Sequence, residues 1–238
     1  MNIPMQEQLY QQYPYKIEMH THSSPASHCS EIVPERVVEL YKEKGYDAIV
    51  LTNHFHSIFE KDKGKLITLQ MEDYYRAVEA GNKLGVRVLL GTEVRFDENG
   101  NDYLVYGVNE EILGVLFDYL PKGLAAFRKE VPLTNSVFIQ AHPFRPGCVI
   151  ADAQLLDGIE VFNLHPHHNS NAQAAMEHAS AHPEFIFTAG SDFHHEKPGH
   201  CASTALLSRT LPEDSFQLAS ILKSGDYLLR LHDSIYIP

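Results

Sequence analysis

Short apolar runs alternate with longer amphipathic runs along the whole chain, and residues capable of chemistry stand where the apolar runs end. We read strands near Lys16–Met19, Ala48–Thr52, Val86–Val94, Tyr103–Val108, Val137–Gln140, Gly158–Phe162, Phe185–Ala189 and Ala202–Leu207. Helices fit Pro34–Lys44, Met71–Leu84, Gly123–Glu130, Ala172–Ala181 and Glu213–Lys223, and Tyr227–Ile237 reads as a closing strand or hairpin. Pro34 suits a first helical turn, and Gly45 and Gly225 suit helix C-terminal stops. The alternation defines an α/β chain. His20 and His22 follow the first strand, Asn53 and His54 the second, and Glu93 ends the third. His142 follows the fifth, Asn163 and His165 the sixth, and Asp192 and His194 the seventh. A barrel that gathers the C-terminal ends of its strands at one mouth would turn these scattered positions into one site.

The histidines carry the same message. There are 15 of them against 14 glycines. Five lie between His20 and His56, none in the stretch up to His142, and ten from there on. A solvated surface predicts no such spacing, whereas a metal site assembled from separate loops does. The 238 residues suit a single domain spanning 1–238, with no repeat or long linker. A net charge of −12 argues against stable nucleic-acid binding and against coating an anionic membrane. No apolar run approaches the ~20 residues of a membrane span, and no apolar signal core is visible near the start. Cys29, Cys148 and Cys201 form no C-x-x-C pair, so a reduced, cytoplasmic location is expected.

Two alternate residues at a strand end point the same way, so His20 and His22 can reach one ion. Asp192 and His194 repeat that spacing with a carboxylate, Glu93 offers a carboxylate able to bridge two ions, and His142-Pro143 follows another buried strand.

The segments Glu18-Met19-His20-Thr21-His22-Ser23-Ser24, Leu51-Thr52-Asn53-His54, Gly91-Thr92-Glu93, Gln140-Ala141-His142-Pro143 and Gly190-Ser191-Asp192-Phe193-His194 resemble, in order, those of the PHP (polymerase and histidinol phosphatase) family. The resemblance implies a distorted (β/α)7 barrel with a two- or three-metal centre at the C-terminal ends of its strands. Carried over, His20, His22, Glu93 and Asp192 hold one metal. Glu93 bridges to a second, held also by His142, and His28, His54 and His194 take a third. Two positions depart from the pattern. Asn53 stands where the family usually has Asp, and no His lies between Glu93 and His142, which leaves Asp102 as the replacement to consider. An ordinary Asn101-Asp102 turn pair is the alternative.

Mixed nitrogen and oxygen ligands suit two or three Zn, Mn or Fe ions. The expected reaction is hydrolysis of a small phosphorylated substrate, a phosphomonoester, by a metal-bound hydroxide, of the histidinol-phosphatase or nucleotide-phosphatase kind. Glu93, Asp192 and His194 would carry it, with Arg145 as a phosphate clamp in a Pro-bounded loop. Arg95 could face the mouth or the far side. His165, His167 and His168 could shape the pocket, donate a proton, or form a solvated loop. Cys29 and Cys201 read as small packing residues, and His56, His178, His182, His200 and His232 as structural or surface residues. Specificity is expected in the loops Phe55–Leu69 and Leu164–Asn171. The rival readings are a phosphodiesterase or exonuclease acting on short oligonucleotides and a non-catalytic, metal-stabilised module.

Overall fold

The strands are built from residues buried on both faces. In β2 (Ala48–Leu51), Ala48 and Val50 join an interior cluster with Ile17 and Met19, whereas Ile49 and Leu51 pack with Val37, Val38 and Tyr41. That is the pattern of a strand covered by helices. The computed structural model describes residues 4–197 and 201–238, so His200 lies outside the described residues.

After α1 (Met5–Gln12), β1 (Tyr15–Thr21) pairs in parallel with β2. The two-residue β3 (His54–Phe55) and β2 both lie parallel against β4 (Arg87–Val94). Next, β5 (Tyr103–Tyr106) runs antiparallel to β4 and to β6 (Val137–Gln140). The sheet then continues in parallel through β7 (Gly158–Asn163) and β8 (Ile186–Gly190). On the free side of β1, the strands β9 (Thr204–Ser208), β10 (Tyr227–Leu231) and β11 (Ser234–Tyr236) add an antiparallel extension. The segment read as a closing strand or hairpin is the β10–β11 hairpin.

The sheet curls as a half-barrel. Just past β8, Phe193 bridges to Thr21, its N–H donates to the His20 carbonyl, and its own carbonyl accepts from the His22 N–H. The end of β8 is thereby laid against the end of β1.

Helices α2 (Pro34–Glu43) and α3 (Lys63–Leu84) cover β2 and β4. The sequence reading starts the second of these at Met71. The helix begins eight residues earlier, because Asp62 caps it by accepting from the Lys65 N–H. Lys63-Gly64-Lys65 reads as loop, and the cap outweighs the ~1 kcal/mol cost of glycine in a helix. The helix α4 (Glu110–Tyr119) has no counterpart in the sequence reading; Asn109 caps it, and only Leu113 and Leu116 are buried. Helices α5 (Leu124–Glu130), α6 (Ala172–Ser180) and α7 (Ser215–Ser224) lie where the sequence predicts helices. No helix among the described residues is long and apolar enough to cross a membrane.

The direction of β5 matters most for the site. Residues 95–102 are too few for a parallel crossover, which takes a dozen or more. The chain therefore turns straight back, and the start of β5 lies at the same end of the sheet as the C-terminal end of β4.

Candidate metal centre

Strand irregularities aim the polar residues. The pairing register of β1 shifts between Glu18 and Thr21, and that of β7 shifts between Glu160 and Phe162. Such bulges re-aim side chains at barrel rims. His142 and Asp192 both take left-handed backbone, with φ of 32° and 50°. Non-glycine residues held there cost ~1–3 kcal/mol each and cluster at functional sites. Gly190 allows β8 to approach β1: a Cβ there would lie 2.3 Å from His20 Cβ and 2.6 Å from Glu160 Oε1. Glu18 Oε1 accepts from the N–H groups of Met19, His20 and Ser191, tying the two strand ends together. Burial pushes that carboxyl up to about 7, against the hydrogen bonds it accepts.

Four donors surround one point. His20 Nε2 lies 3.4 Å from Glu93 Oε1 and 3.5 Å from Asp192 Oδ1. His22 Nε2 lies 3.3 Å from Asp192 Oδ1 and 3.5 Å from Glu93 Oε2. Tetrahedral ligands bound at ~2.0–2.2 Å are separated by ~3.3–3.6 Å, the edge of the coordination polyhedron. His20 Nε2, His22 Nε2 and Glu93 Oε2 are buried without a hydrogen-bond partner. Orphaned lone pairs at that spacing fit a cation. Glu93 also faces outward from this group: Oε1 lies 3.1 Å from His142 Nε2, and Oε2 lies 2.8 Å from His54 Nδ1. Each oxygen thus meets two histidines, the arrangement a bridging carboxylate needs. Two further groups could hold ions, His54–Glu93–Asp102 and His22–His54–His194.

Surrounding hydrogen bonds fix which ring nitrogen is bare. His20 Nδ1 donates to Glu160 Oε1 at 2.8 Å, leaving Nε2 for a metal. Ser27 Oγ gives its proton to Asn53 Oδ1 and so accepts from His22 Nδ1, which again leaves Nε2 bare. His194 Nδ1 donates to the Asp192 carbonyl. On Asp192, Oδ2 accepts from Arg145 Nη2 at 2.6 Å and from Asn163 Nδ2 at 3.2 Å.

Burial alone would raise both central carboxyls. His54 and His20 beside Glu93 nevertheless hold it well below the usual carboxylate range, and His20, His22, His194 and Arg145 do the same for Asp192. In return, and against burial, the carboxylates hold His20 and His54 well above the ordinary imidazole value. Cys148 and Glu93 likewise push His142 up to about 10 against burial. His22 goes the other way, lowered by burial and by His194 and His54.

His20, His22, His54, Glu93, Asp102, His142, Asp192 and His194 all lie in one cluster. His28 does not: it is exposed and stacks on Phe59 with ring centroids 4.6 Å apart. The next residue, Cys29, is also exposed to solvent but lines a cavity of about 370 Å³ beside the cluster. His194 and His54 beside its thiol lower it to about 6, although burial works to raise it. The reading of Cys29 as a packing residue is therefore corrected. Asp102 reaches the cluster because β5 is antiparallel; its oxygen lies 3.8 Å from His142 Nε2, and both its oxygens are gripped by Arg95 at 2.7 and 2.6 Å. Arg95 and Arg145 both face the cavity, with His165, His167 and His168 on its wall. Asn53 turns away from the cluster. It donates to Ser23, accepts from Ser27, and through them sets His22.

Sequence reasoning missed Glu160, Ser27 and Glu18. A lone carboxylate inside the buried run Gly158–Asn163 was the available signal for Glu160. Ser27 gave none.

The PHP domain model matches residues 18–184, and the chain belongs to this family. It shares its fold with a candidate metal-dependent phosphoesterase from Bifidobacterium adolescentis, at 18% identity and a TM-score of 0.52, over 87% of this chain and 95% of that one. A two-domain protein from Bacteroides vulgatus containing a predicted PHP-like metal-dependent phosphoesterase matches at 15% identity and a TM-score of 0.59, over 93% of this chain and 66% of that one. No curated protein matches the chain.

Proposed function

We propose that the chain is a metal-dependent phosphoesterase that hydrolyses a small phosphomonoester on a barrel of the (β/α)7 kind. The observation that carries this reading is the pair of Glu93 oxygens, each facing two histidines, behind His54 and His142 in the wall of a cavity that two arginines also line. His20, His22, Glu93 and Asp192 would hold one ion, Glu93 and His142 a second, and His54 and His194 a third. When bound, divalent ions supply Lewis acidity to phosphoryl oxygens and lower the pKa of a water.

The chain's own residues do the rest. Arg145 orients Asp192 and presents its guanidinium to the cavity, where it can bind a phosphoryl oxygen. Arg95 holds Asp102 and borders a second hollow of about 430 Å³ beside His56, Ile58 and Lys61, which gives the alcohol part of the substrate a place. His165 Nδ1 accepts from the His167 N–H, so its proton sits on Nε2. Burial, with His194 and Arg145 nearby, lowers His165 to about 3. It serves as a neutral hydrogen-bond donor to substrate oxygen, and an imidazolium acid is not available there.

The test is turnover of p-nitrophenyl phosphate beside its bis-ester, with added Mn²⁺ or Zn²⁺ and with chelator. Metal-dependent cleavage of the monoester alone is expected. Preference for the bis-ester would favour a diesterase, and cleavage of neither would favour a metal-stabilised module.

A further inference from the structure

Resting on the metal-centre reading above, we propose that Cys29 is a thiolate ligand of the ion at the His54–His194 corner, making that corner a sulfur site that prefers zinc to manganese or magnesium. The donor atoms of His22, His54 and His194 lie within 4.8 Å of one another. Their rings are layered, with His22 centred 4.4 Å from His54 and 4.1 Å from His194. His54, His194 and the shared Glu93 oxygen leave a fourth tetrahedral position, and Cys29 lines the same cavity as both rings. Glu93 Oε2, fully buried and 2.8 Å from His54 Nδ1, has no hydrogen-bond partner and faces this corner.

The approach of Cys29 is built into the loop. Asp73 accepts from Ser23 Oγ and the Ala26 N–H, and Ser27 is tied to Asn53 and to the His54 N–H. On the other side, Ser30 Oγ and the Glu31 N–H both donate to the His194 carbonyl. Cys29 is thus pinned from both flanks over His194. The same loop stacks His28 on Phe59.

Charge supports the assignment. The first ion has two carboxylates, but the third corner has neutral rings and shares only Glu93, while the neutral Asn53 amide is turned away. A thiolate supplies the missing negative charge, its proton passing to solvent as the sulfur lone pair binds. Thiolate also selects softer ions, since Mg²⁺ and Mn²⁺ prefer oxygen.

The experiment is cobalt(II) reconstitution of the metal-stripped protein, followed by absorption spectroscopy and ion counting. Wild type should develop a near-ultraviolet thiolate-to-cobalt charge-transfer band as the last ion binds. The band should persist in His28→Ala, Cys148→Ser and Cys201→Ser and vanish in Cys29→Ser, which should hold one cobalt fewer. Cys29→Asp should restore the ion count without the band. Cobalt uptake with no such band, or a band that survives Cys29→Ser, overturns the proposal and leaves the metal-centre reading standing. A wild-type protein that takes up no cobalt overturns both.

Discussion

Asn53 is the residue whose sequence reading and structural role differ most instructively. A family Asp at this position would suggest a lost charge at the metals, yet the Asn53 side chain points into a hydrogen-bond chain. Its Nδ2–H donates to Ser23 Oγ at 3.0 Å, and Ser23 Oγ donates to Asp73 at 2.7 Å. An Asp there could not donate, and it would face a serine whose proton is already committed. Asn53→Asp should therefore leave the ion count unchanged and lower stability by about 1–3 kcal/mol, as read by urea unfolding. Tighter metal binding by that variant would contradict this. Arg145 differs in the other direction. As a phosphate clamp alone it would leave metal binding untouched, but its bond to Asp192 joins the two functions. Arg145→Ala should lower kcat/KM roughly 10- to 150-fold and inhibition by phosphate with it. It should also weaken metal binding by about 10- to 100-fold. Metal titration alongside phosphate-inhibition kinetics separates the two effects. The histidine protons give a pH dependence. His20, His54 and His142 are held above their ordinary values, and each must be bare to bind an ion. Protons and metal therefore compete, and affinity must rise with pH, through neutrality toward the His142 value of about 10. Metal titrations at several pH values check the sign, and an affinity that falls as pH rises would contradict it.

Elements decide whether these side chains meet at all. The strand-end clustering was legible because period-two and helical patterns locate strands without knowledge of their partners. The direction of β5 was not, since it depends on the short connection from β4, and so Asp102 looked misplaced at a strand start until the hairpin return put it at the mouth. The choice between His28 and Cys29 was equally hidden. Both lie one loop beyond the H-x-H pair, and only the anchors from Asp73, Asn53 and His194 decide which lines the cavity. Glu160 is a single polar residue in an apolar strand, and nothing local distinguishes a metal-site partner from an edge residue. The closure of β8 on β1 gives an element-scale prediction. Gly190→Ala forces a Cβ into His20 and Glu160, so it should cost about 1–3 kcal/mol and reduce metal content. Gly64→Ala, whose added Cβ meets only Asp62 Oδ1 at 3.4 Å, should do neither. Thermal unfolding with metal analysis of both variants tests the pair.

For the whole molecule, the barrel mouth buries Glu93, Asp192, Asp102 and Glu160 in a chain of net charge −12. Divalent ions that bind the folded state alone must offset that repulsion. At 100-fold excess over Kd each site adds about 2.7 kcal/mol. For a chain of this size ~1 kcal/mol shifts Tm by roughly 2–4 °C, so chelation should lower Tm by about 5–10 °C per ion released. An unchanged Tm on chelation would remove the ions from the folding balance. The central claim is that Glu93 bridges ions at one mouth, and the most direct measurement counts metal ions per chain in wild type and Glu93→Gln while following monoester turnover. The account predicts two or three ions and turnover in wild type, with fewer ions and no turnover in the variant, because an amide cannot supply the charge that both oxygens share. A Glu93→Gln protein with the wild-type ion count and turnover would contradict it.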